Sequence, residues 1–276
     1  MLKKMVEETV NNPLLQYAEM IGDFPVRIGA PSYVWPGGYS YNTGMLSPVF
    51  REIQLLVFED FDTSPLDIGE IDSLRRYSDE GVNFSVHLPV PNGLSAASGD
   101  TTPNPVESLV KIIKSLKPLN VTNYILHIDF NDSTDAELLN KRLLSIADEG
   151  DIAIEVLSVE NIDDTFDNMW ESVGATGLSI CCDVGHLLHA GKDPFKFIDK
   201  YEDKIRMVHI HGAGKKDHIP LTAIDKKVLV KVIDKFAEMK IAGPVIIENY
   251  SVDDMQSSLN YLNGIAREGL LQQCPA

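Results

Sequence analysis

The sequence predicts a single α/β domain, a (β/α)8 TIM barrel with eight parallel strands. Short apolar runs recur about every 30 residues, each followed by a loop or an amphipathic segment, as a βα repeat requires. The runs are almost wholly apolar, which is typical of parallel strands covered on both faces. The length of 276 residues suits one such barrel, since the fold takes roughly 250 residues.

The predicted elements alternate along the whole chain. Residues 1–24 are expected to form a lead-in helix, residues 25–270 the barrel domain and residues 271–276 a short tail. Segments with apolar residues at helical spacing separate the apolar runs. The predicted strands are 26–30, 53–59, 82–88, 121–129, 152–157, 178–182, 205–211 and 245–248, and the predicted helices are 68–77, 106–116, 135–147, 165–173, 194–201, 224–239 and 252–266.

A doubly wound open sheet is the alternative fold. It would place some strand ends on opposite sides of a crevice, whereas the candidate ligands described below need their strand ends to converge. The sequence has no Gly-x-Gly-x-x-Gly or Gly-x-x-x-x-Gly-Lys-Ser/Thr turn after an early strand, the usual signature of nucleotide binding. No linker or change of composition interrupts residues 25–270, so one barrel domain is favoured.

The composition argues against several classes of partner. Lys and Arg number 24 against 41 Asp and Glu, which gives a formal net charge of −17. This charge disfavours nucleic acid and anionic lipid as partners, and no apolar window approaches the roughly 18 residues that span a membrane. Cys181, Cys182 and Cys274 form no plausible disulfide framework, and the N-terminus lacks a signal-peptide core, so we expect a cytoplasmic protein. The oligomeric state stays open.

Acidic and histidine side chains stand at the ends of the apolar runs. Asp183 and His186 follow the run 178–182, and the same arrangement recurs along the chain. Because the carboxyl ends of barrel strands meet at one face, these side chains are expected to converge on one metal site there. The many nitrogen and oxygen ligands predict two or three divalent ions, Zn or Mn. The predicted ligands are His87, His127, Glu155, Asp183, His186, His209, His218 and Glu248.

The carboxylates are also the candidates for catalysis. Glu155 and Glu248 each follow three apolar strand residues, so both are expected at equal depth in the barrel mouth, with Glu155 as a bridging ligand. Glu160 is the rival of Glu155 if that strand extends further. Catalytic roles are assigned to Glu155, Glu248 and Asp183.

Two histidine positions leave alternatives open. His209 and His211 lie two apart on one strand and face the same side, so either is the ligand and the other supports it. In the loop that follows, Asp217 joins His218 as a further candidate.

Aromatic and basic residues are predicted to contact the substrate. Ser32, Tyr33 and Trp35 follow the first strand, where aromatic side chains suit a large flat or cyclic ligand, although packing explains them equally well. Lys215 and Lys216 lie in a glycine-containing turn from which they could reach an anionic group. A solvated charged loop explains the two lysines equally well. The three cysteines are expected to do no chemistry, with a thiolate ligand at Cys182 as the alternative.

Short motifs around the predicted ligands form a series. They are Val-His-Leu-Pro at His87, Leu-His-Ile at His127, Ile-Ala-Ile-Glu at Glu155, Asp-Val-Gly-His at Asp183, Val-His-Ile-His at His209, Asp-His-Ile-Pro-Leu at His218 and Ile-Ile-Glu-Asn at Glu248. Together they resemble the xylose-isomerase-like barrels, which also include the endonuclease IV type of abasic-site enzymes. The resemblance implies either a trinuclear zinc cluster that hydrolyses a phosphodiester, as in the endonucleases, or one ion held by two Glu, an Asp and a His, as in the sugar isomerases.

The histidines at both early strands look more like the phosphoesterase pattern. The late loop departs from it, because it has Asp-His where the endonucleases have Asp-x-His. Because this loop supplies ligands to the third metal in the endonuclease pattern, the departure leaves open whether a third metal binds here.

The N-terminal third resembles one branch in particular. The segments are Arg27 to Pro36 with its Ser-Tyr-Val-Trp-Pro turn, Glu52 to Glu59, Val86 to Pro89, and later Asp183 to Leu188. They are similar to the cobamide-remodelling phosphodiesterases of the CbiR type. The resemblance implies a corrinoid substrate, adenosylcobalamin or pseudocobalamin, whose nucleotide loop is hydrolysed to cobinamide phosphate and an α-riboside.

Other functions fit the same motifs. A sugar isomerase or epimerase would use a single ion with Glu155 and Glu248 as ligands and acid/base groups. An endonuclease-like nuclease and a non-catalytic corrinoid binder are further alternatives. His87 and His127 discriminate, since a single-ion isomerase does not need them.

Overall fold

Eight parallel strands pair in chain order and close into a barrel, because the first strand pairs with the eighth. The computed structural model describes residues 11–57, 68–90, 93–95 and 104–271. The closed barrel confirms the predicted fold. The strands are β1 (Ile28–Pro31), β2 (Glu52–Leu56), β3 (Asn83–His87), β4 (Val121–Leu126), β5 (Leu157–Glu160), β6 (Ser179–Asp183), β7 (Ile205–Ile210) and β8 (Val245–Ile247).

Helices follow the strands and cover the barrel from outside. In the described part of the chain, these helices fall short of the length and apolar character needed to cross a lipid bilayer. The helices are α1 (Ala18–Gly22), α2 (Tyr39–Leu46), α3 (Ile68–Asp79), α4 (Pro105–Ser115), α5 (Ala136–Gly150), α6 (Phe166–Val173), α7 (Val184–His189), α8 (Pro194–Tyr201), α9 (Lys226–Met239) and α10 (Val252–Arg267).

The main hydrophobic core lies between the strands and the helix layer. Helix α4 shows how the sequence directs this packing, since Leu109, Ile112 and Ile113 recur at helical spacing and are buried. Its first turn is stabilised by Asn104, whose side chain accepts a hydrogen bond from the Val106 N–H. Amphipathic spacing and an N-terminal cap therefore place this helix close to its predicted bounds.

Strand β5 begins five residues later than predicted. Residues Ile154–Val156 form a 3-10 turn, in which the Val156 N–H donates to the Ala153 carbonyl instead of to a neighbouring strand. The strand pairs with β4 only from Leu157, which lies opposite Tyr124. The apolar run from residue 152 to 159 contains two possible strands, and pairing with β4 selects the second.

Two described helices were not predicted. Helix α2 has few strong helix formers, and contacts outside the helix hold it: the Ser40 N–H donates to Glu70 and the Tyr39 hydroxyl donates to the Leu56 carbonyl. Helix α7 is short and begins directly at the end of β6. The lead-in helix is described only from residue 11, as a 3-10 turn followed by α1, and residues 1–10 and 272–276 lie outside the described residues.

The barrel interior has its own small apolar layer. Ile125, Cys181, Met207 and Ile246 pack together there, all of them fully buried. Cys182 points the other way, into the core beneath the helices. Both cysteines are free thiols, and Cys274 lies outside the described residues.

A tight contact inside the barrel gives a stability prediction. A Cβ atom on Gly29 would lie 2.5 Å from Ile246 Cδ1 and 2.6 Å from the Glu52 carbonyl oxygen. We therefore expect Gly29→Ala to lower the free energy of unfolding by about 1–3 kcal/mol through overpacking. Gly264→Ala is the control, because nothing lies within 4 Å of the added Cβ in α10. Denaturant unfolding that shows equal stability for both variants would contradict the expectation.

Candidate metal centre

Nine side chains form a continuous cluster in the barrel mouth, at the carboxyl ends of β3 to β8 and in the loops that follow them. They fall into three sets, within each of which the candidate ligand atoms all lie within 4.8 Å of one another, and the Cys181 thiol forms a further group of this kind with Glu160 and His209. The first set is His87, His127 and Glu160; the second set is Glu160, Asp183, His209 and Glu248; the third set is His186, His211 and His218.

The first set joins the ends of three neighbouring strands. The Nε2 atoms of His87 and His127 lie 3.1 Å apart, and the Glu160 Oε2 atom lies 2.9 Å from the Nε2 atom of His127. The His87 Nδ1 atom lies 3.1 Å from the Leu88 carbonyl oxygen, and in the tautomer with its hydrogen on Nδ1 the ring donates there and keeps a lone pair on Nε2. Burial works against protonation of His127, but Glu160 outweighs it and raises the pKa of this imidazole.

The second set is fully buried and rich in carboxylates. The Nδ1 atom of His209 lies 3.0 Å from Glu160, 3.4 Å from Glu248 and 3.9 Å from Asp183. Burial raises the pKa of Glu160, but the charges of His209 and His127 outweigh it and hold that pKa well below its ordinary value. Three carboxylates around one imidazole require a positive charge between them.

Gln54 completes the second set and was missed from the sequence. Its side-chain amide donates to Glu248 Oε1 at 2.8 Å, and its carbonyl oxygen lies 2.7 Å from His209 Nε2. With Nε2 bound to the Gln54 carbonyl oxygen, Nδ1 is the ring atom of His209 that faces the carboxylates. A polar residue in the middle of the run Ile53-Gln54-Leu55 was the available signal, since a buried strand rarely carries one without a partner.

The third set combines two histidines of the segment after β7 with one histidine of α7. The ring centroids of His211 and His218 lie 4.0 Å apart, and that of His186 lies 5.2 Å and 5.5 Å from them. Burial alone would lower the pKa of His211, but Asp183, whose Oδ1 lies 3.3 Å from Nε2, raises it to about 9. Burial and the charge of His211 lower the pKa of His218.

The motif Asp-Val-Gly-His owes its spacing to local geometry. Asp183 caps α7 by accepting a hydrogen bond from the His186 N–H at 2.7 Å, which leaves its second oxygen directed at the cluster. A Cβ atom on Gly185 would collide with the ring of His211. Only glycine therefore lets the second and third sets come this close.

The cluster fits divalent cations. Asp183 Oδ2, His211 Nε2 and His218 Nδ1 are buried atoms without a hydrogen-bond partner among the described residues. Leaving such atoms unpaired costs about 1–3 kcal/mol each, a cost that a bound cation removes. The first and third sets supply mainly imidazole nitrogens and the second set mainly carboxylate oxygens, a combination suited to divalent cations.

The structure corrects the prediction for Glu155. This residue is exposed and lies in the 3-10 turn before β5, near Gly177 and Asp203 and away from the barrel mouth. Its rival Glu160 ends β5 and belongs to both the first and the second set. Glu160, and not Glu155, therefore occupies the place expected of a bridging carboxylate, because β5 begins at Leu157 and ends at Glu160.

The remaining predicted ligands all reach the mouth. His209 and His211 do not compete, since His209 belongs to the second set and His211 to the third. Asp217 lies at the edge, with Oδ2 4.0 Å from His218 Nε2. Burial raises the pKa of the Asp217 carboxyl, but the charge of His218 outweighs burial, so the pKa of Asp217 is lowered.

The predicted substrate contacts differ in exposure. Ser32 is buried and structural, since its hydroxyl accepts a hydrogen bond from the Leu56 N–H. Trp35 is partly buried against the core, whereas Tyr33 is 54% exposed, with its ring centroid 6.5 Å from that of Tyr250. The last two predicted contacts, Lys215 and Lys216, are exposed in the loop after β7.

The chain belongs to the family of xylose isomerase-like TIM barrels. The family model matches residues 50–269, which span β2 to β8. This confirms the superfamily that the motifs predicted, whereas the narrower resemblance to cobamide-remodelling enzymes stays a prediction. No curated protein sequence matches the chain.

Solved structures with this fold include epimerases and a nuclease. L-ribulose 3-epimerase is 16% identical, with a TM-score of 0.66 over 88% of this chain and 97% of that chain. The 3-keto-D-glucoside 4-epimerase YcjR from E. coli is 10% identical, with a TM-score of 0.65 over 88% of this chain and 99% of that chain. Endonuclease IV from Thermus thermophilus is 15% identical, with a TM-score of 0.63 over 86% of this chain and 99% of that chain. At these identities the likeness shows the fold alone, because one barrel fold hosts many chemistries.

The two glutamates around β5 give a matched test of the metal centre. We expect Glu160→Gln to lower metal affinity by more than about 100-fold, since loss of a partner behind the ligands alone costs about 10–100-fold. Glu155→Gln should leave metal content unchanged, because Glu155 is exposed at the other end of the strand. Elemental analysis after dialysis measures both, and equal metal loss in the two variants would contradict the assignment.

Proposed function

We propose that this protein is a metal-dependent phosphodiesterase. The observation that supports the proposal is the pair of histidine-rich sets on either side of the carboxylate-rich second set, with Glu160 shared between the first and the second. Such an arrangement suits two or three cations. Multinuclear sites are typical of phosphoryl transfer, because separate ions stabilise the attacking and the leaving oxygen of the same phosphate.

The chain's own residues would hold and orient the reacting groups. Bound divalent ions would polarise the phosphate and lower the pKa of a coordinated water. Glu160 links the first two sets, while Asp183 and Glu248 supply buried carboxylates to the second. Gln54 fixes the orientation of both Glu248 and His209. Lys215 and Lys216 are the nearby exposed cations for an anionic substrate group.

The proposed substrate is a cobamide. This rests on the sequence resemblance of Arg27 to Pro36, and the exposed Tyr33 in that segment suits a flat ligand. A corrinoid is a largely neutral amide-rimmed ring with one phosphodiester, so the net charge of −17 does not oppose its binding. Water would replace the ribosyl oxygen on phosphorus, which yields cobinamide phosphate and the α-riboside.

Sugar isomerisation or epimerisation is the second candidate. The second set alone supplies two Glu, an Asp and a His, enough for one ion, and the epimerases named above share the fold. In that case Glu160 and Glu248 would act as acid and base on the substrate. A nuclease is less compatible with the charge of −17, and a corrinoid binder without turnover is the remaining alternative.

One experiment separates these functions. The protein loaded with Zn or Mn is incubated with adenosylcobalamin, and we expect cobinamide phosphate in the mass spectrum and two or three ions per chain. His87→Ala should remove one ion and most of the hydrolysis, because His87 belongs only to the first set. The protein would instead be an isomerase if it binds one ion per chain and epimerises ketohexoses. In that case the His87→Ala variant should epimerise them as well as the wild type does.

The exposed Tyr33 gives a test of substrate size. We expect Tyr33→Ala to raise KM for the corrinoid about 3–10-fold, as loss of one aromatic contact costs about 0.5–1.5 kcal/mol, while Tyr33→Phe keeps it. Leu144→Ala removes an exposed apolar side chain on the outer helix α5 and should leave KM unchanged. If steady-state kinetics with Tyr33→Ala match the wild type, Tyr33 does not contact the substrate.

A further inference from the structure

Two Glu-Asn dipeptides occupy equivalent places in the barrel. Glu160-Asn161 lies at the end of β5 and Glu248-Asn249 directly after β8. Each glutamate belongs to the second set, whereas each asparagine is buried and binds the backbone of a segment that carries another ligand.

Asn161 pairs with the backbone of Asp183. Its Nδ2 donates to the Asp183 carbonyl at 2.9 Å, and its Oδ1 accepts from the Asp183 N–H at 2.9 Å. Both backbone groups of Asp183 are thus bound at the point where β6 ends. This fixes the direction of a side chain that caps α7 with one oxygen and faces the second set with the other.

Asn249 holds the loop that carries His218. Its Nδ2 lies 3.2 Å from the His218 carbonyl oxygen and 3.1 Å from that of Ile219. Its Oδ1 accepts a hydrogen bond from the Ser258 hydroxyl at 2.6 Å, and Ser258 in turn accepts one from the Leu221 N–H at 2.9 Å. The loop is therefore tied to both β8 and α10.

His218 needs such support because its backbone is strained. Its φ of 51° lies in the left-handed region, which costs a residue other than glycine about 1–3 kcal/mol. The backbone nitrogen of His218 lies 3.0 Å from His211 Nδ1, so the same strained turn also contacts a second member of the third set. Without the Asn249 amide, the loop would lose the contacts that hold His218 over the mouth.

Asparagine suits both positions chemically. Each site needs a donor for a carbonyl oxygen and an acceptor for an N–H or O–H group on one short side chain. Aspartate keeps the acceptor but loses the donor, and it adds a buried charge beside carbonyl oxygens.

We propose that Asn161 and Asn249 are positioning residues, each of which fixes a metal ligand on another part of the barrel: Asn161 holds Asp183, and Asn249 holds His218. Asn249 thereby determines whether the third set fills, and so whether the centre carries two ions or three. The proposal rests on the multinuclear centre of the proposed function.

Metal titration of Asn249→Asp tests this role. Co²⁺ is added to the metal-free protein and its visible absorption is followed, together with elemental analysis. We expect affinity for one equivalent to fall about 10–100-fold, as for other residues that orient metal ligands. His218→Ala should lose the same equivalent, and the double variant should lose no further metal, because both changes act on one ligand.

Asn42→Asp is the matched control. Asn42 is also fully buried and holds a loop, accepting from the Val34 and Trp35 N–H groups and donating to three carbonyl oxygens, but it touches no candidate ligand. We expect it to lower stability without changing metal content. If Asn249→Asp does not fold, Ser258→Ala removes the hydroxyl that holds Asn249 and should weaken the same equivalent.

Two outcomes would overturn the proposal. One is full metal content with unchanged affinity in Asn249→Asp, or in Ser258→Ala when that variant replaces it. The other is equal metal loss in Asn249→Asp and Asn42→Asp, which would mark a general effect of destabilisation. Failure of the proposed function differs from both, because it is seen in the wild type itself, which would then hydrolyse no phosphodiester whether it binds one ion or several.

Discussion

Three buried carboxylates, Glu160, Asp183 and Glu248, approach the single imidazole of His209 inside the barrel mouth. Moving one carboxylate out of water is costly, and three close together repel one another as well. The fold tolerates them because the barrel brings histidines from several strand ends to the same place and directs lone pairs at one another. A cation satisfies both kinds of ligand, so the need for positive charge determines how this end of the barrel is built.

The cluster behaves as one connected unit. Glu160 is shared by the first and second sets. Asp183 belongs to the second set and also contacts His211 of the third. Asn161 and Asn249 extend the connection into the backbone, since each binds the segment of another ligand. A change at one strand end is therefore expected to alter metal binding at its neighbours, and single variants of the ligands should not be additive.

Solved structures with this fold include an epimerase and a nuclease, so the fold alone does not select a reaction. The second set by itself suffices for a single ion, as an isomerase requires. His87, His127 and the third set are surplus to that need, and buried or half-buried histidines without a common partner would only destabilise the protein. Their convergence is the observation on which the proposal of a multinuclear phosphodiesterase rests.

The sequence by itself determined the βα repeat, the closed barrel and the histidines at the strand ends, because apolar runs and the polar residues that end them are local signals. It could not choose between Glu155 and Glu160. Both follow apolar residues, and only the pairing of Leu157 opposite Tyr124 decides which one reaches the mouth. Likewise, His209 and His211 face the same side, but His209 lies within β7 and His211 follows its end, and this difference in position along the barrel axis places them in different sets. Gln54 and Asn249 acquire their roles only from partners distant in the chain, which tertiary structure alone brings into contact.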